Sequence, residues 1–393
     1  MKKRLTAGLL ALLLALSLCA CGSHTEENHS LPPLDTPKPT PAPIQNQDGS
    51  RRGDAAGDRQ SAIHDETLPS GLRIRIFSDG ELLLENANVT ENLNSRAIFK
   101  DPNLNVTSVR FGSGVEFVGE KCFQGWNKIT KVDFGDTVRD IGYSAFSDCT
   151  ALVNITFGRG VIAISDYAFT GCTALKDVKL SESVESVGNY AFSDCTNLHH
   201  AIFGSRVINM GQQVFSGCTT FTHFETGSDI PDQALGGNTS LTTLTMENTV
   251  EKIGERAFAG CTALNRITWS SRLTEIGNYA FSGCTKLESV KINDSSELTI
   301  GDNAFANCDN ITEVTLPEGL TKIGDNAFSN CKNLSKVTLP KSLEKLGYGV
   351  LFNTPALRVL AFRGTSGEWY KVEKDSRWSY YAGKTSITDY EVK

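Results

Sequence analysis

The sequence predicts an α/β solenoid in which a parallel sheet covers one face and short helical turns cover the other. Two observations lead to this prediction. A motif of about 23 residues recurs over most of the chain, and a sustained period of this size is typical of a solenoid rather than of separate domains. The second half of each repeat alternates apolar and polar residues, as in the segment Leu-Lys-Asp-Val-Lys-Leu at 175–180, and this alternation is the period of a strand.

The composition excludes several classes of protein. Of the 393 residues, 39 % are hydrophobic and 21 % are charged, so most of the chain can bury a core, and a wholly disordered or collagen-like protein is excluded. The 38 Lys and Arg against 45 Asp and Glu leave a net charge of −7. A mildly acidic chain lacks the positive surface that wraps nucleic acid, so we expect no nucleic-acid partner.

The first twenty residues have the pattern of a signal peptide. Residues 2–4 are Lys, Lys and Arg, and an uncharged apolar run at 5–18 follows, which is short for a membrane span. Residues 18–23, Leu-Cys-Ala-Cys-Gly-Ser, resemble the lipobox of bacterial lipoproteins, and Cys21 fits its register better than Cys19. The resemblance implies cleavage after residue 20, lipidation of Cys21 and an extracytoplasmic, membrane-anchored protein at the bacterial cell surface. A cleaved secretory signal without lipid is the alternative.

Residues 21–67 are predicted to be the lipidated cysteine followed by a disordered tether. Six of the twelve prolines lie between residues 32 and 43, and such a run favours extended polyproline II that advances ~3.1 Å per residue. The alternative interpretation is a proline-rich ligand for a recognition domain. A tether is favoured because an anchored protein needs a spacer in any case.

The repeat unit reads Ile-Gly-x-x-Ala-Phe-x-x-Cys-x-x-Leu-x-x-Val-x-Leu. Its alternating half predicts a short strand in which Val178 points inward and Asp177 points outward, and one or two helical turns are expected around 189–192. The residue before the cysteine is Gly, Asp or Asn in the regular coils, and these types tolerate a left-handed turn. The cysteine position marks about eleven coils, spaced by 23 residues except for one spacing of 20 and one of 24, at residues 126, 149, 172, 195, 218, 238, 261, 284, 308, 331 and 354.

This unit closely resembles the BspA-like leucine-rich repeat, found mainly on bacterial surface proteins, over roughly residues 108–362. The resemblance implies a curved leucine-rich-repeat solenoid, with residues 68–107 as its N-terminal cap and 363–393 as its C-terminal cap. Caps are also expected on physical grounds, because a bare last coil would expose its apolar layer. The resemblance further implies a role in adhesion, often to host extracellular-matrix proteins or to other cells.

The cysteines are interpreted as structural. Metal binding, a redox relay and disulfides are the alternatives, but Trp126, Asn238 and Thr354 replace cysteine in matching coils, and no Cys-x-x-Cys occurs in the repeats. No metal and no cofactor are therefore predicted. Eight of the eleven cysteines share the marker position, at residues 149, 172, 195, 218, 261, 284, 308 and 331.

Two histidines make the most specific polar cluster in the repeats. His200 and His223 are one repeat apart and both point outward, so they should lie on neighbouring strands ~4.8 Å apart. With Asp177 and Glu225 nearby, two imidazoles and a carboxylate form a conceivable metal site, although solvated side chains on a sheet face are the favoured interpretation. A coil shortened by three residues around 227–231 adjoins the pair and is the best local candidate for a site.

The outward strand positions as a whole are polar, rich in threonine and mixed in charge, without an aromatic stripe or a basic run. Such a face suits a protein partner with modest affinity. The candidate ligand-binding face comprises Asp177, His200, His223, Glu225, Arg266 and Glu313.

Catalytic motifs are absent from the sequence, including Gly-x-Ser-x-Gly, His-Glu-x-x-His, a phosphate loop and a dinucleotide fingerprint, so we do not expect an enzyme. The favoured function is adhesion or protein recognition by a non-catalytic cell-surface lipoprotein. A glycan-binding or solute-binding lipoprotein is one alternative and would need a concave aromatic pocket. A structural surface protein without a specific ligand and a hydrolase hidden in the caps are the others.

Overall fold

Twelve parallel strands, one for each repeat, form a long face called the front sheet. The computed structural model describes residues 61–93, 96–100, 105–294, 297–375 and 377, so Cys21, the signal peptide and most of the tether lie outside the described residues. The parallel-sheet solenoid is confirmed, with one strand more than the markers count, because the first strand precedes the first marker. The front strands are Ser108–Phe111, Lys131–Asp133, Asn154–Thr156, Asp177–Lys179, His200–Phe203, His223–Thr226, Thr243–Met246, Arg266–Thr268, Ser289–Lys291, Glu313–Thr315, Lys336–Leu339 and Val359–Phe362.

Three antiparallel strands precede the first repeat, and the last of them continues the front sheet. Glu81–Glu85 pairs in parallel with Ser108–Phe111, so this N-terminal segment covers the edge of the first coil. The assignment of residues 68–107 and 363–393 as caps stays a prediction. The three strands are His64–Thr67, Arg73–Ile76 and Glu81–Glu85.

A second set of parallel strands, called the back sheet, follows the front strands in each coil. It did not emerge from the sequence, because two to four residues per coil are too few to show a period. Its strands are Phe117–Val118, Asp140–Ile141, Ala163–Ile164, Ser186–Val187, Asn209–Met210, Lys252–Ile253, Glu275–Ile276, Leu298–Ile300, Leu320–Ile323, Lys345–Leu346 and Glu373–Lys374.

The helical turns expected around residues 189–192 are not found. Tyr190 and Asp194 both have a φ of 55°, and a left-handed residue interrupts the run of dihedrals that a right-handed helix requires. Each coil closes instead through two left-handed turns. Among the described residues the one α-helix is Ser366–Lys371, and Ala97–Lys100 form a 3₁₀ helix.

Phenylalanine rings fill the space between successive coils. Phe123, Phe146, Phe169 and Phe192 stack with centroids 4.8, 5.5 and 5.3 Å apart, and all four are fully buried. A second column begins after Leu235 and places Phe258, Phe281, Phe305 and Phe328 at separations of 5.1, 5.2 and 5.2 Å. Each buried ring stabilises the fold by roughly 1.5–3 kcal/mol. The two columns, with Leu235 between them, belong to one continuous hydrophobic core that neighbouring coils form together.

Two recurring small positions shape the corners of each coil for different reasons. The residue before the cysteine has positive φ, for example 59° at Asp148 and 71° at Gly171, so the predicted left-handed turn is confirmed. The glycine that follows the back strand in most coils allows close approach instead. A Cβ on Gly277 would lie 2.7 Å from the carbonyl carbon of Gly254 in the preceding coil.

The cysteine thiols join one coil to the next. The Sγ atom of Cys172 donates to the carbonyl oxygen of Phe146 at 3.3 Å, and that oxygen also accepts the backbone N–H of Cys149 at 3.3 Å. Equivalent thiol bonds recur from Cys149 to Cys331, with sulfur–oxygen distances of 3.1–3.3 Å. All nine described cysteines are free and buried, and the interpretation of the ladder as purely structural stays a prediction.

Burial keeps these thiols protonated. Desolvation raises the pKa of Cys122 to about 11 and the pKa of Cys149 to about 12, because a thiolate is poorly solvated in the core. The pKa of Cys284 is raised well above the usual value of 9.0 for the same reason. Cys122, Cys149 and Cys284 are therefore neither nucleophiles nor thiolate ligands at neutral pH.

We expect Gly277→Ala to lower the free energy of unfolding by about 1–3 kcal/mol, because its methyl group would overlap the backbone of the preceding coil. Urea unfolding followed by circular dichroism measures the change. Ser165→Ala is the matched control, since Ser165 holds the equivalent position and already carries a Cβ. Equal stability of the glycine and alanine proteins would contradict the close-approach argument.

We expect alkaline pH to destabilise the reduced protein. Below about pH 9 the thiols are neutral in the folded and in the unfolded protein. Above that pH the thiols of the unfolded chain ionise first, so the free energy of unfolding falls until the pH passes the raised pKa of the folded thiols. Between pH 7.5 and 9.5 one buried thiol accounts for about 0.8 kcal/mol. Between the two pH values, the free energy of unfolding of Cys284→Ala, measured by urea titration, should fall by that much less than the free energy of unfolding of wild type. Equal losses would show that the thiol does not govern the pH dependence.

Candidate functional site

The outward positions of the front sheet line up in columns across neighbouring strands. Asp177 pairs with His200, His200 with His223, His223 with Thr243, and Thr243 with Arg266. The stacked register inferred from the repeat spacing is thus confirmed. The assignment of these side chains to a ligand-binding face stays a prediction.

The two histidines come together but do not form a metal centre with their neighbours. The ring centroids of His200 and His223 are 6.1 Å apart, with the planes at 74°, and Nδ1 of His223 lies 2.8 Å from Oγ1 of Thr222. Within the part of the chain that the structure describes, no group of three or more His, Cys, Asp or Glu side chains is arranged to hold a metal ion. The pair supplies two polar imidazoles to the surface.

Charges on the front sheet alternate in sign near its C-terminal end. Glu313 lies 3.5 Å from the ammonium of Lys291 and 3.1 Å from that of Lys336, one on each neighbouring strand. The hydrogen bond from Lys336 lowers the pKa of Glu313, so this carboxylate stays charged at neutral pH. Arg266 is exposed, and Glu225 is half-buried between Ile202 and Thr245. The face is therefore ionic without a net field of one sign.

The shortened coil changes the back sheet rather than the front sheet. His223–Thr226 and Thr243–Met246 keep a continuous parallel register, so the missing residues do not disturb the columns. On the back side the regular strand is reduced to a bridge between Ile230 and Ile253. Thr226, at the end of its front strand, and Ser228 are both buried, and Oγ1 of Thr226 accepts the backbone N–H of Ser228 at 3.0 Å. The irregularity thus faces away from the histidine pair.

An aromatic row lies at the corner after the back sheet and did not emerge from the sequence analysis. The rings of Tyr143 and Tyr167 meet edge to face with centroids 5.6 Å apart, and the rings of Tyr167 and Tyr190 stack with centroids 5.1 Å apart. Every tyrosine between residues 108 and 362 falls in one of the two positions after the residue that follows the back strand, which is glycine in most coils. This pattern in the sequence could have revealed the row. The two other tyrosines of the set are Tyr279 and Tyr348.

A groove of about 600 Å³ adjoins the end of this row and is lined by Tyr167, Tyr190, Met210, Gln212 and Asp232, among others. It lies where the shortened coil follows the regular ones. The sequence-predicted face and this groove occupy different sides of the coil, because one belongs to the front strands and the other to the corner after the back strands.

The described residues contain no helix that is long and apolar enough to cross a membrane. A search of curated proteins found no match. Among solved structures, a leucine-rich cell surface protein from Faecalibacterium prausnitzii is 21 % identical, covers 80 % of this chain and 99 % of its own, and has a TM-score of 0.31. A leucine-rich repeat protein from Eubacterium ventriosum is 21 % identical, covers 85 % of this chain and 97 % of its own, and has a TM-score of 0.40.

The sequence profile of the BspA type leucine rich repeat region matches in six copies, over residues 94–222 and 228–358. These ranges include the front strands from Ser108–Phe111 to Lys336–Leu339 except His223–Thr226, which falls in the gap between the two ranges. The profile therefore covers most of the solenoid, and the chain belongs to the BspA-type leucine-rich repeat family.

Proposed function

We propose that this protein is a non-catalytic lipoprotein of the bacterial cell surface that recognises a protein partner, on host matrix or on a neighbouring cell, through its front sheet. The observation that carries the proposal is the register of the front strands. It holds outward polar side chains in columns over successive groups of three, five and four hydrogen-bonded strands, and a rigid scaffold of this kind places contact groups without an ordering cost.

The chemistry of the face supports a protein partner of mixed charge. Asp177, Arg266 and the Lys291–Glu313–Lys336 cluster place charges of both signs along the sheet, and such a pattern favours a partner with complementary charges. Exposed ion pairs contribute little affinity each, so binding is expected to be modest and to weaken with salt.

The alternatives predict other surfaces. A glycan-binding or solute-binding lipoprotein would need an aromatic pocket, and the outward positions of the front strands are mainly Thr, Lys, Asp and Glu. A structural protein without a ligand would tolerate any polar residue on this face. The family match supports recognition, because solenoids of stacked repeats present extended binding surfaces.

The anchor is part of the same proposal. Lipidation of Cys21 would attach the chain to a membrane, and residues 22–67 would hold the solenoid away from it. Acyl chains bind a bilayer with roughly 0.8 kcal/mol for each buried CH₂ group, so the diacylglyceryl group of a lipoprotein would hold the protein stably.

We expect the front-face variant His200→Ala/Arg266→Ala/Glu313→Ala to bind its partner about tenfold more weakly, because three outward side chains are lost together. Wild type is first screened against arrays of matrix proteins and glycans at low and high salt, and the variant is then titrated against the hit. The control is Asn209→Ala/Lys252→Ala/Glu275→Ala, which alters three exposed residues of the back sheet. Equal affinity of the two variants for the partner would contradict the proposal that the front sheet is the binding surface.

We expect Cys21→Ser to abolish membrane attachment in a bacterial host with lipoprotein maturation, because serine has no thiol to accept the diacylglyceryl group. Partition into the detergent phase of Triton X-114 measures it. Cys19→Ser is the matched control and should leave the protein in the detergent phase. Attachment of the Cys21→Ser protein, or loss with Cys19→Ser alone, would contradict the assignment of the anchor.

A further inference from the structure

The tyrosine corner carries aromatic rings that its turns do not require. Tyr167, Tyr190 and Tyr279 have φ values of 58°, 55° and 57°, and bulky residues adopt this left-handed region at a cost. Asn303 and Asn326 occupy the same position in later coils with φ of 56° and 55°. Asparagine closes this turn equally well, so the turn itself does not require tyrosine. The tyrosines at this position therefore point to a contact made by the faces of their rings.

Cations of the protein itself already use those faces in three places. The ammonium of Lys121 lies 5.3 Å from the ring centroid of Tyr143, and the guanidinium of Arg256 lies 4.8 Å from that of Tyr279. The guanidinium of Arg377 lies 4.8 Å from the ring centroid of Tyr348. A cation over a tyrosine face is attracted by the negative potential of the ring.

The row of Tyr143, Tyr167 and Tyr190, in which only the last two rings are stacked, has such a cation at one end only. Lys121 covers the Tyr143 end, whereas among the described residues no Lys or Arg lies over Tyr190. Tyr190 borders the groove of about 600 Å³, so the uncovered end of the stack adjoins a space that can admit a side chain.

The groove has the charge that a cation needs. Its described lining includes the carboxylates of Asp166 and Asp232 and the amides of Asn189 and Gln212, and none of its residues is Lys, Arg or His. Oδ1 of Asp232 accepts the backbone N–H of Glu255 at 2.6 Å, which fixes the carboxylate in place. A fixed anion beside an aromatic face complements an ammonium or guanidinium group.

We infer that this groove binds a Lys or Arg side chain from a basic peptide segment of a protein partner, with the cation over Tyr190 and paired with Asp232. The partner's side chain repeats at Tyr190 the contact that Lys121 and Arg256 make within the protein. The inference goes beyond the front-sheet proposal, because the groove lies at another corner of the coil and either surface can bind without the other.

The test is titration of the full chain with a fluorescent octalysine peptide, followed by anisotropy, with octaglutamate as the opposite-charge probe. Tyr190→Leu should weaken octalysine binding about fivefold, the size of one cation–π contact. Tyr279→Leu is the matched control, because that ring has the same backbone conformation and is already covered by Arg256; it should leave the affinity unchanged. The front-face triple variant should leave it unchanged as well.

A second pair of variants distinguishes binding in the groove from a general effect of charge and from a loss of folding. Asp232→Asn should also weaken octalysine binding several-fold while keeping the fold, because Asn189 and Asn278 accept the same backbone hydrogen bond in their coils. Asp302→Asn removes an equal charge at the equivalent position away from the groove and should bind like wild type. Equal effects within either matched pair, or octaglutamate binding as tight as octalysine binding, would overturn the inference.

Discussion

Every coil of this protein must offer the next one the same backbone groups and the same apolar layer, and this stacking constraint governs the rest of the structure. The N–H of Phe146 donates to the carbonyl of Ala168 at 2.8 Å, and its ring stacks on that of Phe169. A residue at a repeated position must therefore fit against the coil before it and the coil after it. Stability in such an array comes from neighbouring interfaces rather than from any coil alone.

The constraint explains why chemically reactive residues are inert here. Cysteine recurs because its small thiol satisfies a buried carbonyl of the preceding coil, as between Cys172 and Phe146, and the same burial raises its pKa beyond the range of a nucleophile. At the shortened coil the ladder is interrupted. Asn238 takes the cysteine position of the shortened coil and accepts the backbone N–H groups of Ser240 and Leu241 instead.

Positions that point away from the stack are free of this constraint, and they carry the charged and aromatic side chains of the surface. The front columns present charge of alternating sign around Arg266 and Glu313, whereas the corner presents the stacked rings that end at Tyr190. One solenoid thus has an ionic face and an aromatic corner built on the same rigid core. Their different chemistry suits different contacts on a partner.

The sequence by itself determined the solenoid, the inward side of each front strand and the column from Asp177 to Arg266, because a fixed period converts spacing along the chain directly into distance between strands. It also determined the left-handed turn at Asp148, since few residue types tolerate one. Only the tertiary structure decided the back sheet, the close approach at Gly277 and the open end of the tyrosine stack. Those features depend on contacts between coils and on where Lys121 and Arg256 lie in space, which no local pattern records.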